Sequence, residues 1–462
     1  FIYGYSEVIT QKGLYLSSVA DTMMVNPEGF VEWRGLSASV TYYQEALEKI
    51  GLEPVVLRAT GNEYKSAVEP FISQEMTDQN REQLSQLLSS TWGTYREEIA
   101  ASQKIEASKL NQLADSLAVT SPGEAQEAGL IQELAYQDQV DSLLMERSQA
   151  NSREHISFLS PSKYAKDKDI LGQKEFNDNE IALVIAEGGI QGGKGSSSVI
   201  GSERFRKAIR KAREDNDVKA VVLRINSPGG NALASEVIWR EIMLTRKEKP
   251  VIASMGGVAA SGGYYLACYA DTILAHPNTV TGSIGAFGLF FTAEELLHDK
   301  LGVNVETVTT NEYADLPQID EDISPGEKRR LIHQVDRTYQ TFIERVAEGR
   351  GLSVDYVDSI GSGRIYSGID AQKLGLVDVL GGLPEAIEIA ADKADLEEGY
   401  RITEFPEAKN PIEEFLENLS GQYQTKLVRE SLGPLKPVYD TYQEAKGMQG
   451  YQMRIPYKLT ID

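Results

Sequence analysis

The residues with the clearest capacity for chemistry lie in one stretch, Ser254 to Phe287, reading SMGGVAASGGYYLACYADTILAHPNTVTGSIGAF. A strand is expected to end at Gly256-Gly257, with a small-residue turn after it and an apolar helix opening at Ser261. At such a helix start the free N–H groups point outward, and the helix dipole favours negative charge. Gly262 and Gly263 leave room for a substrate to approach. A hydroxyl in that setting suits a nucleophile beside an oxyanion site. The pattern is not the G-x-S-x-G elbow, because Gly257 lies four residues before Ser261 rather than two. It fits a plain serine N-cap equally well.

A serine hydroxyl is a poor nucleophile without a base. The four histidines, His155, His276, His298 and His333, fall in no motif. His276 follows an expected strand at Thr272–Ala275, and the others stand in polar helical or linker contexts.

An internal repeat offers a better partner. Gly13-Leu14-Tyr15-Leu16, Ala20-Asp21-Thr22 and Pro27 align with Gly263-Tyr264-Tyr265-Leu266, Ala270-Asp271-Thr272 and Pro277, at an offset of 250 (263 − 13). Asn62-Glu63-Tyr64 aligns with Asn311-Glu312-Tyr313, and Ala125-Gln126 with Gly129-Leu130 aligns with Ala371-Gln372 and Gly375-Leu376. Two copies of one domain follow. Ser261 maps to Gln11, and Lys65 maps to Ala314, so one copy has the amine and the other the hydroxyl. That complementarity points to one composite Ser–Lys site, against the alternative of chance divergence at two ordinary positions.

A lysine base must be neutral, which burial among apolar groups can achieve. Lys65 stands in the largely uncharged run Tyr64-Lys65-Ser66-Ala67-Val68-Glu69-Pro70. Ser283, in Thr281-Gly282-Ser283-Ile284-Gly285, is a candidate to hold the amine, or an ordinary loop serine. Gly230 and Gly262 are candidate backbone donors to an oxyanion; Gly229-Gly230 also suits a tight turn. Gly188-Gly189-Ile190-Gln191-Gly192-Gly193-Lys194 has the G-x-x-x-x-G-K spacing of a phosphate loop. Gly195 stands where the magnesium-binding hydroxyl belongs, so nucleotide binding is disfavoured.

The elements that must position these residues read as α/β. A strand at Ile181–Ala186, a helix near Glu203–Glu214 and a buried strand at Val218–Asn226 lead to a turn at Ser227-Pro228-Gly229-Gly230. A helix at Ala232–Arg246 and a strand at Val251–Ser254 then reach the serine, with ligands expected at the strand ends. A long helix is expected over Pro325–Arg350. The expected organisation is a first copy over residues 1–150 lacking its opening strands, a linker at 151–178, a second copy at 179–390 and a tail at 391–462 with no functional reading.

At 462 residues the chain should form two or more domains, and its net charge of −23 disfavours nucleic acid or an anionic membrane face as main partner. The single cysteine, Cys268, excludes an internal disulfide and reads as a buried core thiol. No apolar run here is long enough to span a bilayer.

Four of these motifs occur together in order: Tyr64–Pro70, Asn226-Ser227-Pro228-Gly229-Gly230, Met255–Tyr264 and Thr281–Gly285. They resemble the signal peptide peptidase A (protease IV) family in its long, tandem-domain form, and the likeness covers most of residues 1–390. The resemblance implies tandem Clp-protease/crotonase-like domains, Ser261 as nucleophile, Lys65 as base, Ser283 orienting the lysine, and an oxyanion hole of Gly230 and Gly262. It further implies signal peptides and apolar peptide segments as substrates and a homotetramer; acyl transfer through Ser261 and Lys65 needs no metal or organic cofactor. It also implies a bacterial cytoplasmic-membrane anchor upstream of Phe1, with the catalytic part facing the periplasm. The rival readings are a non-catalytic scaffold of the same fold and a crotonase-type acyl-CoA enzyme. Neither uses a paired serine and lysine.

Overall fold

The computed structural model describes residues 1–161, 163–164, 179–196, 198–396, 399–406 and 450–455. Most of the expected linker and tail therefore lies outside the described residues. Contacts divide the chain into two compact units, one built on Phe1–Ser39 and Leu84–Ile170, the other on Val40–Gln83 and Leu171–Tyr457. These units follow packing, whereas the repeat follows likeness, and the two do not share boundaries. Residues 40–83, with Lys65, pack in the unit that holds Ser261.

In the first unit β1 (Tyr3–Ile9) and β2 (Thr22–Val31) pair in parallel, joined by α1 (Gln11–Ser17). Thr10 caps that helix, its hydroxyl accepting from the Gly13 N–H. Leu14, Met23, Val25, Val31, Trp33, Ile99 and Leu110 form the core. Gln11, the counterpart of Ser261, is buried and ties down a loop. Its amide donates to the Gly35 carbonyl and accepts from the N–H groups of Arg34 and Gly35.

The second unit holds two sheets. Its labelled elements begin with β3 (Glu53–Arg58) and α2 (Asp78–Gln103), whose first turns, up to Gln83, belong to this unit. There follow β4 (Glu180–Glu187), α3 (Ser202–Glu214), β5 (Val218–Ser227), β6 (Gly229–Asn231) and α4 (Ala232–Arg246). Then come β7 (Val251–Ala260), α5 (Gly262–Ala267), β8 (Thr272–Ala275), β9 (Val280–Gly282) and β10 (Phe287–Thr292). The last are α6 (Pro325–Arg350), β11 (Ile365–Ser367), β12 (Arg401–Phe405) and β13 (Gly450–Arg454).

One sheet runs β11-β9-β7-β5-β4-β12, with β8 beside the first part of β7. All its pairings are parallel except β9 with β11. Parallel strands are covered on both faces, which is why β5 carries the unbroken apolar run Ala220–Leu223, all buried. Helices pack against it by their apolar stripes. α6 starts at a capping box of Ser324 and Glu327 and stops at Gly351 in the left-handed conformation. In the other sheet the neighbours are β3-β10-β13-β6, with Gly189–Gln191 next to β6.

The local structure departs from the expected layout at several points. β7 does not end at Gly256-Gly257 but runs through them to Ala260. Its register against β5 shifts between Met255 and Ala259, a bulge filled by Asn226, whose Oδ1 accepts from the Val258 N–H at 3.2 Å. A Cβ at Gly256 would stand 2.9 Å from that oxygen, so glycine is what lets the strand continue. The motif around Gly229-Gly230 is not only a turn, because Gly229–Asn231 forms β6. The tail also returns to the fold: β13 pairs antiparallel with both β6 and β10, Met453 opposite Gly230 and Gln452 opposite Phe287. The side chain of Met453 is 1% exposed. The glycine-rich loop before Lys194 leads into the strand pair of Gly195-Ser196 with Val199-Ile200 rather than directly into a helix, unlike a phosphate loop.

Candidate active site

β7 delivers Ser261 to the first turn of α5. The backbone there is held at φ 55° and ψ −117°, a conformation that non-glycine residues rarely adopt. The Ser261 N–H donates to the Gly282 carbonyl at 2.8 Å, and the Ser261 carbonyl accepts from the Tyr265 N–H at 2.8 Å. Its hydroxyl makes no capping bond, so the N-cap alternative does not describe this serine.

Lys65 precedes a short 3-10 turn, Ser66–Val68. Its side chain is fully enclosed, at 1% exposure, and its Nζ lies 2.7 Å from Ser261 Oγ. The Ser283 carbonyl oxygen and hydroxyl oxygen each lie 2.9 Å from the same Nζ. Among the described residues Lys65 joins no ion pair, and burial pushes its amine well below the ordinary lysine value.

A neutral amine has two N–H bonds and one lone pair. The Ser283 carbonyl can only accept, so it takes one N–H; the second N–H has two hydroxyl oxygens in reach, those of Ser283 and Ser261. With the Ser283 hydroxyl as the acceptor, a neutral amine would present its lone pair to the Ser261 hydroxyl. Ser283 is itself held in the left-handed region (φ 51°), its N–H donating to the Arg364 carbonyl at 2.6 Å. Gly363 crosses behind the lysine so closely that a Cβ there would stand 2.6 Å from Lys65 Cβ, at a backbone φ of +84°. No bulkier residue leaves room for the lysine stem.

Gly230 and Gly262 lie on adjoining elements, β6 and α5. A Cβ built on Gly262 would stand 3.1 Å from the Gly230 nitrogen and 3.0 Å from the Met453 carbonyl oxygen. The two candidate donors therefore flank one small volume, with the backbone of β13 along its edge. Beside it opens a cavity lined by Ala232, Leu233, Tyr265, Thr338, Tyr451 and Met453.

The remaining candidates separate from this cluster. Among the described residues no histidine hydrogen-bonds Ser261 or Lys65; His298 faces Asp299 and His155 faces Ser152. Cys268 is buried, its thiol pushed up to about 12 by burial and donating to the Tyr265 carbonyl.

Sequence reasoning missed three contributors. Gly363 and the β13 strand carry no local signal. Asn62 was visible as part of a repeated Asn-Glu-Tyr. It is buried, and its Oδ1 accepts from the Ala286 N–H at 3.1 Å, tying the lysine segment to the residues after Ser283.

A family model described as peptidase family S49 matches residues 2–151 and 243–397, one segment in each copy of the repeat. The chain is 34% identical over 427 residues to "Serine protease SPPA, chloroplastic" of Arabidopsis thaliana, covering 91% of this chain and 62% of that protein. It is 33% identical over 414 residues to "Protease 4" of Haemophilus influenzae, covering 87% and 66%. With "Protease 4" of Salmonella typhi the figures are 32% over 438 residues, 92% and 69%. The chain thus spans about two thirds of the length of these curated relatives.

Proposed function

Since the chain belongs to peptidase family S49, we propose that it is a serine endopeptidase working through a dyad of Ser261 and Lys65. The observation that carries this reading is the 2.7 Å contact between Lys65 Nζ and Ser261 Oγ inside a site where burial lowers the lysine's proton affinity.

Ser261 Oγ attacks the scissile carbonyl while its proton passes to the Lys65 lone pair. The carbonyl oxygen becomes an oxyanion, accepting from the N–H groups of Gly230 and Gly262. As the tetrahedral intermediate collapses, Lys65 gives the proton to the leaving amine and Ser261 keeps the acyl group. Lys65 then takes a proton from water, whose oxygen attacks the ester; the acid leaves and Ser261 regains its proton. Ser283 keeps the amine oriented throughout, through its carbonyl and hydroxyl oxygens. A crotonase-type reaction has no use for the serine–lysine bond.

The cavity has an apolar part at Leu233, Tyr265 and Met453, with Asn231, Glu236, Thr338 and Thr341 also lining it; the apolar part suits an apolar side chain, in keeping with signal peptides and other apolar segments as substrates. Substrate class, a homotetrameric assembly and a place at the bacterial cell envelope are proposals resting on the family resemblance. No helix among the described residues is long and apolar enough to cross a membrane.

The test is fluorophosphonate labelling read by intact mass on the chain, on Lys65→Ala and on Ser261→Ala. Labelling of the parent that disappears in both variants is expected. Labelling that survives Lys65→Ala refutes the lysine base, and an unlabelled parent refutes the nucleophile.

A further inference from the structure

Lys65 stands on no strand and at no helix interior; its backbone, at φ −76° and ψ 73°, belongs to an irregular segment before a 3-10 turn. A four-carbon side chain on an irregular segment is not placed by its own geometry. Something must hold the main chain for the amine to meet Ser261.

Gln83, 1% exposed on α2, reaches into this segment. Its Nε2 shares its two N–H bonds among three acceptors, the Tyr64 carbonyl at 3.1 Å, Ser66 Oγ at 2.8 Å and Asn80 Oδ1 at 3.1 Å. Its Oε1 accepts from the Ile365 N–H at 3.2 Å. The orientation of the amide follows from its partners, because the Tyr64 carbonyl can only accept and the Ile365 N–H can only donate. The residues it grips lie on either side of Lys65. Ile365 opens β11, which pairs with β9, and the carbonyl of Arg364 next to it holds the N–H of Ser283. One buried carboxamide therefore joins the segment carrying the amine to the segment carrying its anchor.

We infer that Gln83 is a positioning residue: by clamping the main chain on both sides of Lys65 to β11, it sets the amine at bonding distance from Ser261. The inference rests on the reading of Ser261 and Lys65 as the catalytic pair.

The clamp has its own support. Asn80 Nδ2 donates to Glu69 Oε2 at 2.9 Å, and Thr77 bonds the other carboxylate oxygen of that buried glutamate. Glutamate at 83 would turn acceptors toward the Tyr64 carbonyl, and methionine would bond to neither side. Asparagine keeps the amide but is one methylene short. Next to Gln83, the exposed Glu82 accepts from the Tyr64 hydroxyl and pairs with Arg364 outside the site.

The experiment uses the full chain with Gln83→Met, Gln83→Asn, Glu82→Gln and Lys65→Ala. Fluorophosphonate labelling rates are taken across pH 6 to 10.5, with thermal melts at each pH. Gln83→Met is expected to label about 10- to 100-fold more slowly at its limiting rate. Its pH midpoint should move up toward that of an ordinary lysine as water reaches the amine. Gln83→Asn should move both in the same direction by less, and it carries the test by the same criterion if the methionine variant does not fold. Glu82→Gln should keep the parent midpoint and a rate within about twofold.

A folded Gln83→Met with parental rate and midpoint overturns the inference. So does a rate lowered only by the unfolded fraction with an unmoved midpoint, which marks a structural role. Labelling of Lys65→Ala at the parental rate overturns the catalytic pair, and this inference with it. A silent Lys65→Ala beside an unaltered Gln83→Met overturns the positioning role alone.

Discussion

Gly262→Ala separates the chemistry from the folding at this site. Gly262 is the first residue of α5 and is not among the glycines held at positive φ, so alanine fits its backbone. The methyl group also reduces the freedom of the unfolded chain, a gain of about 0.4–1 kcal/mol at compatible positions. In the folded protein, however, the new Cβ would stand 2.8 Å from Ser235 Oγ, 3.0 Å from the Met453 carbonyl oxygen and 3.1 Å from the Gly230 nitrogen. All three are shorter than ordinary van der Waals contact. Ser235 can rotate away from its 3.0 Å bond to the Asn231 carbonyl, but the other two atoms are backbone. The displacement therefore falls partly on the Gly230 N–H, one of the two proposed oxyanion donors. Withdrawing one such donor costs about 2.7–4 kcal/mol in the transition state, or about 10²- to 10³-fold in rate.

The assay is the fluorophosphonate labelling rate, since the phosphoryl oxygen occupies the oxyanion position, together with urea unfolding. The expected variant is folded and slow. A folded variant labelled at the parental rate would refute the assignment of the oxyanion site to Gly230 and Gly262. Gly263→Ala is no substitute, because its Cβ would meet the Ser227 carbonyl oxygen at 2.6 Å and strain the fold itself.

Three further outcomes follow from the same geometry. The labelling rate of the parent should rise with pH and level off below the ordinary lysine value of 10.5, because only the neutral amine is a base and burial depresses its proton affinity; a midpoint at or above 10.5 would contradict this. Between the depressed value and 10.5 the unfolded chain holds a proton that folded Lys65 does not, so parental stability should rise with pH across that window. Lys65→Met lacks that rise, and urea midpoints should show the parent gaining on the variant as pH approaches 10.5; a constant difference would refute it. Met453→Ala removes a buried side chain from the strand beside Gly230 and should lower unfolding stability by about 2–5 kcal/mol, against no change if β13 were not packed.

Much of the layout was legible because it rests on local pattern. The apolar run of β5 reads as a strand buried on both faces, and the helices Ala232–Arg246 and Pro325–Arg350 have the bounds their periodicity implies. The glycines at 256 and 257 were misread as a strand end because glycine marks a turn and a bulge alike; the side chain that fills the bulge, Asn226, comes from the neighbouring strand. The tail strand Gly450–Arg454 was unreadable for a related reason. Five residues of mixed polarity have little strand preference of their own, and their order comes from pairing with β6 and β10.

For the site, the sequence by itself determined which groups are available: a serine after small residues, a lysine in an uncharged run, glycines able to offer bare N–H groups, and a repeat in which hydroxyl and amine are divided between the copies. Only the tertiary structure decided what those groups are. Lys65 has a depressed proton affinity because residues distant in sequence exclude water from it, and its Nζ stands between Ser261 Oγ and the two oxygens of Ser283 because three separate segments meet there. Gln83, with no motif around it, matters through partners as far as 282 positions away. Desolvation and hydrogen-bond direction are properties of surroundings, and surroundings exist only once the chain has folded.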